Sequence, residues 1–165
     1  FISTGLMFHQ IYIFGQKEWS LEMLGNGYIL LGFFSIIGLL IGGPLVDKFD
    51  TKKTAITVLL PLLLSVIILL LFDSVFFLIS YMCLYGLNMG ISTPFIGSLW
   101  AEIYGVKSLG TVKALLHAGG VFASAFGPLV FGYLIDWGFG ITTIATISIL
   151  IIIVSTLLPI YNKLP

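Results

Sequence analysis

Runs of about twenty apolar residues divide this chain, and each is long enough to cross the ~30 Å of a bilayer's hydrocarbon at ~1.5 Å per helical residue. In that solvent every backbone amide needs a partner within its own segment, so such runs fold as helices. They cover residues 25–46, 54–72, 76–100, 111–135 and 142–160, and a shorter apolar run, 1–16, opens the chain. The expected fold is an all-α polytopic membrane protein with five complete spans and a truncated first helix. Charged residues are 8% of the chain and hydrophobic residues 59%, a balance that leaves too little polar surface to clothe a water-soluble core. Mean hydropathy is +1.16. The net charge is zero and no basic block stands ready to hold nucleic acid.

The seven basic residues are all lysines, and following the spans alternately places Lys48, Lys52, Lys53, Lys107, Lys113 and Lys163 on one side and Lys17 on the other. Cytoplasmic loops collect basic residues, so the six-lysine side is read as cytoplasmic, the C-terminus with it. The single cysteine, Cys83, falls mid-helix and is read as a small buried hydrophobe, with no disulfide framework or metal-ligand spacing around it. The chain opens at Phe1 inside an apolar run, and the expectation is a piece of a longer protein.

Polar and small residues are distributed unevenly over the spans. On the first, Gly5, His9, Tyr12 and Gln16 recur at helical spacing, as do Tyr81, Tyr85, Asn88 and Ser92 on the fourth. The fifth carries Lys113, His117, Gly120, Ser124 and Gly127, and the second Tyr28, Gly32, Ser35 and Gly42. The third is Leu-rich and the sixth is branched aliphatic from Ile149 to Val154. Striped helices pack on protein or line a cavity, whereas all-round apolar ones face lipid. Spans one, two, four and five are therefore expected to be central, with three and six peripheral. The order striped, striped, apolar occurs twice, which suggests two inverted three-helix repeats, an arrangement common in secondary transporters.

The loop after the second span reads Gly43-Pro44-Leu45-Val46-Asp47-Lys48-Phe49-Asp50-Thr51-Lys52-Lys53. It resembles the signature loop of the major facilitator superfamily, with Gly43, Leu45, Asp47, Lys48 and Lys52 matching. Asp50 stands where that pattern has Gly, and Thr51 where it has a basic residue. Ser92 to Gly105 leads into Leu109-Gly110, and Ala125-Phe126-Gly127-Pro128 and Gly132 to Asp136 follow. These stretches look like helices ten and eleven of bacterial facilitator transporters distantly similar to monocarboxylate and oxalate/formate carriers. Phe8-His9-Gln10 is similar to the seventh helix of that group. The resemblance implies the six-helix C-terminal half of a major facilitator fold, helices seven to twelve, lacking an N-terminal six-helix half. It further implies a multi-pass protein of the cell membrane, a bacterial inner membrane, surrounded by lipid and carrying a small-molecule substrate with a proton as a candidate coupling ion.

Individual residues carry two readings each. Asp47 with Lys48 and Lys52 is either a cytoplasmic latch that pairs in one state and releases in another, or a plain marker of where a helix leaves the membrane. His9, an ionisable group within a span, marks a substrate or proton path or else bridges helices. His117 beside Lys113 lines a cavity or anchors its helix at the interface. Asn88 sits near mid-span, where transporter sites occur, and either binds substrate or only bridges helices. The expected cavity residues are His9, Tyr12, Tyr85, Asn88, Ser92, His117 and Ser124, with Pro94, Gly127 and Pro128 as kink or gating positions. Gly119, Gly120, Gly127 and Gly132 are expected at close helix contacts. Arginine is absent and no carboxylate lies deep in a span. Neither a phosphate loop nor a nucleophile elbow nor a metal cluster can be read, so no cofactor or metal is expected. The expected function is secondary active transport of a small solute by alternating access, an organic anion such as a monocarboxylate being a candidate. The alternatives are a non-transporting polytopic protein of assembly or sensing, a half-size transporter that dimerises, and an intramembrane enzyme using His9 and His117.

Overall fold

The computed structural model describes the backbone of residues 1–49, 51–105 and 109–161, and the side chains of these except at 51–53 and 159–161. The described residues form helices only. They are α1 (Ile2–Phe8), α2 (Gln10–Gln16), α3 (Leu21–Lys48), α4 (Thr51–Leu71), α5 (Val75–Tyr104), α6 (Leu109–Asp136) and α7 (Ile141–Tyr161). Five of these are long and apolar enough to cross a membrane: α3, α4, α5, α6 and α7. The signals at their ends are local. Ser20 caps α3 by accepting from the amide of Met23 at 3.3 Å, and Lys48 in its last turn complements the helix dipole. Gly105 ends α5 with φ of 71°, a conformation that costs glycine nothing.

The first span departs from expectation. It is two helices that meet at His9, whose φ of −103° and ψ of 19° lie between the helical and extended regions. Its ring nitrogen Nδ1 lies 2.9 Å from the carbonyl oxygen of Gly5, which also accepts from the backbone N–H of His9 at 3.3 Å.

α5 is the hub of the bundle. Its longest seam is with α3, and α4 lies on another side of it. The α3–α5 seam depends on missing side chains. A Cβ at Gly38 would sit 2.5 Å from the carbonyl oxygen of Leu87, and one at Gly42 would sit 2.7 Å from Pro94 Cγ. From the other helix, Cβ atoms at Gly86 and Gly90 would collide with the carbonyl oxygens of Leu31 and Ser35. Close backbone approach replaces the hydrophobic drive that lipid cannot supply between helices.

The expectation that the third span is peripheral needs correction. α4, the third span, is packed between α5 and α7 and buries Val58, Leu62, Ser65, Val66 and Leu69. α6, the fifth span, has only Gly127 and Phe131 among its buried residues. Leucine packs as well against a helix as against an acyl chain, so an apolar face does not say which of the two it meets. α6 packs chiefly on α1, and its contact with α5 is slight.

Candidate functional site

Because α6 touches α5 so little, a cleft of about 530 Å³ remains between them. The stripe predicted on the fifth span forms its α6 wall: Lys113, His117, Gly120 and Ser124 recur at helical spacing, with Leu116 and Val121 beside them. The α5 wall is built from Thr93, Ile96, Gly97 and Trp100. Lys113 reaches across toward Gly97, its Nζ 3.9 Å from where a Cβ on that glycine would be, an ordinary contact distance. Among the described residues, Lys113 has no ion pair. Ser124 donates to the carbonyl of Val121 at 2.7 Å and Thr93 to that of Met89 at 3.3 Å, so each hydroxyl keeps its lone pairs for a ligand. The cleft thus offers a cation, an imidazole and hydroxyl acceptors on a mainly apolar wall.

The seven expected cavity residues do not converge on this space. His117 and Ser124 line it. Ser92 lies one residue from its Thr93 wall and donates to the carbonyl of Asn88 at 2.6 Å. Asn88 is buried and turned toward α4, where its Nδ2 donates to the carbonyl of Val58 at 2.7 Å. Tyr85 is buried too, donating to the carbonyl of Ser3 at 2.5 Å and stacked beside Tyr81. His9 lies against Phe131, with ring centroids 6.2 Å apart, and Tyr12 donates to the carbonyl of Phe139 at 3.4 Å. A polar stripe on a buried helix is divided between partners, and helical spacing cannot tell a neighbouring carbonyl from a cavity.

The other expected positions also separate. Pro94 packs onto Gly42, and Gly127 onto the carbonyl of Phe1 and the amide of Gly5. Pro128 lies inside an unbroken α6. Gly119 and Gly120 have open space where a Cβ would stand, against the expectation of close contact, because Gly120 faces the cleft. In the signature loop, Gly43 and Leu45 are half-buried and Asp47 is exposed at the end of α3. Lys48 Nζ sits 5.8 Å from the ring centroid of Phe49. Asp50, Lys107, Lys163 and the side chains of Thr51, Lys52 and Lys53 lie outside the described residues.

Two polar ties escaped the sequence reading. Gln10, fully buried next to His9, donates from Nε2 to the hydroxyl of Tyr81 at 2.7 Å. At the opposite end of the bundle from Lys113, Lys17 is buried and donates to Asp73 Oδ1 at 2.6 Å and to the carbonyl of Phe72 at 3.1 Å. Trp19 Nε1 donates to the carbonyl of Asp73 at 2.5 Å. The available signal was the isolation of Lys17 and Asp73, opposite charges in two loops assigned to one side.

Comparison with known proteins adds one match. The family model described as Major Facilitator Superfamily matches residues 1–164. No curated protein and no solved structure matches the chain.

Proposed function

This chain belongs to the Major Facilitator Superfamily, whose members carry small solutes across membranes, and from that premise we propose that it carries a small organic anion by secondary active alternating access. The carrying observation is the ammonium of Lys113, held over Gly97 in the α5–α6 cleft without an ion pair among the described residues. An ammonium beside an apolar wall suits a carboxylate, to which it can donate charge-assisted hydrogen bonds. Ile96, Leu116 and Val121 then suit the apolar body of a monocarboxylate. A proton is the candidate coupling ion, since His117 stands one turn from Lys113, where the charges of imidazole and substrate would meet.

The remaining features fit this reading. The open face of α6 is where a second six-helix unit would close the path, and the resemblance to facilitator C-terminal halves makes an N-terminal half the candidate. The lysine asymmetry supports a cytoplasmic Lys113 end and a cytoplasmic C-terminus, and the resemblance to bacterial carriers supports a bacterial inner membrane. Asp47 would act there as a latch between states.

Uptake of radiolabelled monocarboxylates into proteoliposomes containing the full-length protein tests the proposal. Lys113→Gln should lower uptake by about tenfold or more, the effect of losing one charge-assisted contact of about 1.4 kcal/mol. Equal uptake by the wild type of a neutral analogue of the same size, unaffected by Lys113→Gln, would remove the anion from the reading.

A further inference from the structure

The first span is shared between two bodies. Its inner part, α1, belongs to α6. A Cβ at Gly5 would lie 2.8 Å from the ring of Phe131, and Gly127 meets the carbonyl of Phe1 in the same way from the other side. The rings of Phe1 and Phe131 add an edge contact at 6.1 Å. Two backbones brought this near to each other move together or not at all. The outer part, α2, belongs to the rest of the bundle. Gln10 ties it to Tyr81 on α5, Lys17 and Trp19 tie its end to Asp73, and Ile13 and Phe14 are buried.

His9 lies at the boundary, and it is the one residue between the two helices. Residues at element ends are where hinges absorb changes of φ and ψ. Gly132 and Phe131 of α6 are beside it, a Cβ on Gly132 standing 3.7 Å from His9 Nε2 and the Phe131 ring centroid 6.2 Å from that of His9. Further toward the Lys17 end, Tyr12 holds the α6–α7 turn through Phe139. Toward the Lys113 end, α6 has little contact with α5, and the cleft fills the gap. Among the described residues, α1 is linked to α5 by the hydrogen bond that Tyr85 donates to the carbonyl of Ser3.

We propose that α1 and α6 swing as one unit about His9, and that this swing opens and closes the α5–α6 cleft at its Lys113 end. Tyr85 is the catch: its hydrogen bond to Ser3 holds the pair against α5. The inference deepens the transport reading, on which only its consequence, gating of the cleft, depends.

Distances between spin labels on the full-length protein test this, in a Cys83→Ser background. Leu115 on α6 and Leu40 on α3 are exposed and lie outside the cleft wall. Labels on Leu115 and Leu40, and on Thr4 and Leu40, should each give two populations differing by about 5 Å, the scale of one helical turn. Labels on Leu40 and Leu150 of α7, within the static body, should give one. Tyr85→Phe should enrich the longer distance in both moving pairs, and His9→Ala, which favours a continuous helix, should leave a single population. The proposal is overturned if both moving pairs are as narrow as the static one and ignore both substitutions, or if Leu115 moves while Thr4 does not. Carboxylate uptake measured on the same samples separates the two readings. Uptake with fixed distances sinks the hinge alone, and changing distances without uptake sink the anion reading alone.

Discussion

The carboxamide nitrogen of Asn88 donates to the carbonyl oxygen of Val58 at 2.7 Å, joining α5 to α4 across 30 positions of sequence. Ser92 in turn donates to the backbone carbonyl of Asn88, and Ser65 to that of Leu62. Polar groups in these spans are largely satisfied by neighbouring backbone, as a medium without water requires.

Asn88→Leu should therefore act on stability. Loss of one interhelical hydrogen bond should cost about 1 kcal/mol, seen as a lower melting temperature of the detergent-solubilised protein, while the KM for substrate stays within about twofold, a difference below 0.5 kcal/mol. A tenfold rise in KM with unchanged melting would return Asn88 to the substrate path.

The α3–α5 seam predicts a contrast between two glycines. A Cβ at Gly90 would overlap the carbonyl oxygen of Ser35 and lie 2.6 Å from the amide of Leu39, both backbone atoms that cannot rotate away. Gly90→Ala should cost about 1–3 kcal/mol as the helices part. Gly32, on the same α3, has nothing within 4 Å, so Gly32→Ala should leave the melting temperature unchanged or raise it through better helix propensity. Equal tolerance of the two substitutions would contradict the seam.

How far the fold could be read from sequence follows from what lipid does to a chain. Helices 3 to 7 were legible because hydrocarbon forces an apolar run of twenty residues into one conformation. The break at His9 was not, since no proline or glycine pair marks it; it reflects the different partners of α1 and α2. The Lys113, His117, Gly120, Ser124 stripe was legible as one face and does line the cleft. Tyr85 and Asn88 have the same spacing, yet they turn to carbonyls of α1 and α4. Spacing fixes which residues share a face, and only packing fixes what that face meets.

Asp47 provides a test of the signature loop. It is exposed at the end of α3, and among the described residues it has no ion pair. If the carboxylate pairs only in one state of the transport cycle, Asp47→Asn should lower uptake at normal expression by shifting the balance of states by about 1–3 kcal/mol. Uptake kinetics identical to wild type at equal protein levels would leave Asp47 as a marker of the membrane boundary.

The Lys17–Asp73 pair is uneven: the lysine side chain is 5% exposed and the aspartate 80%. Asp73→Asn leaves a neutral acceptor and the carbonyl of Phe72 to satisfy a buried ammonium, and should destabilise by about 1–3 kcal/mol. Lys17→Met removes the ammonium and its desolvation cost together, and leaves only a solvated carboxylate behind, so it should cost less than Asp73→Asn. The double variant should then be close to Lys17→Met alone, because Asp73 has lost its charged partner, although its backbone still accepts from Trp19. Melting temperatures of the four proteins complete the cycle. Independent, additive losses would mean that the two charges are close without being coupled.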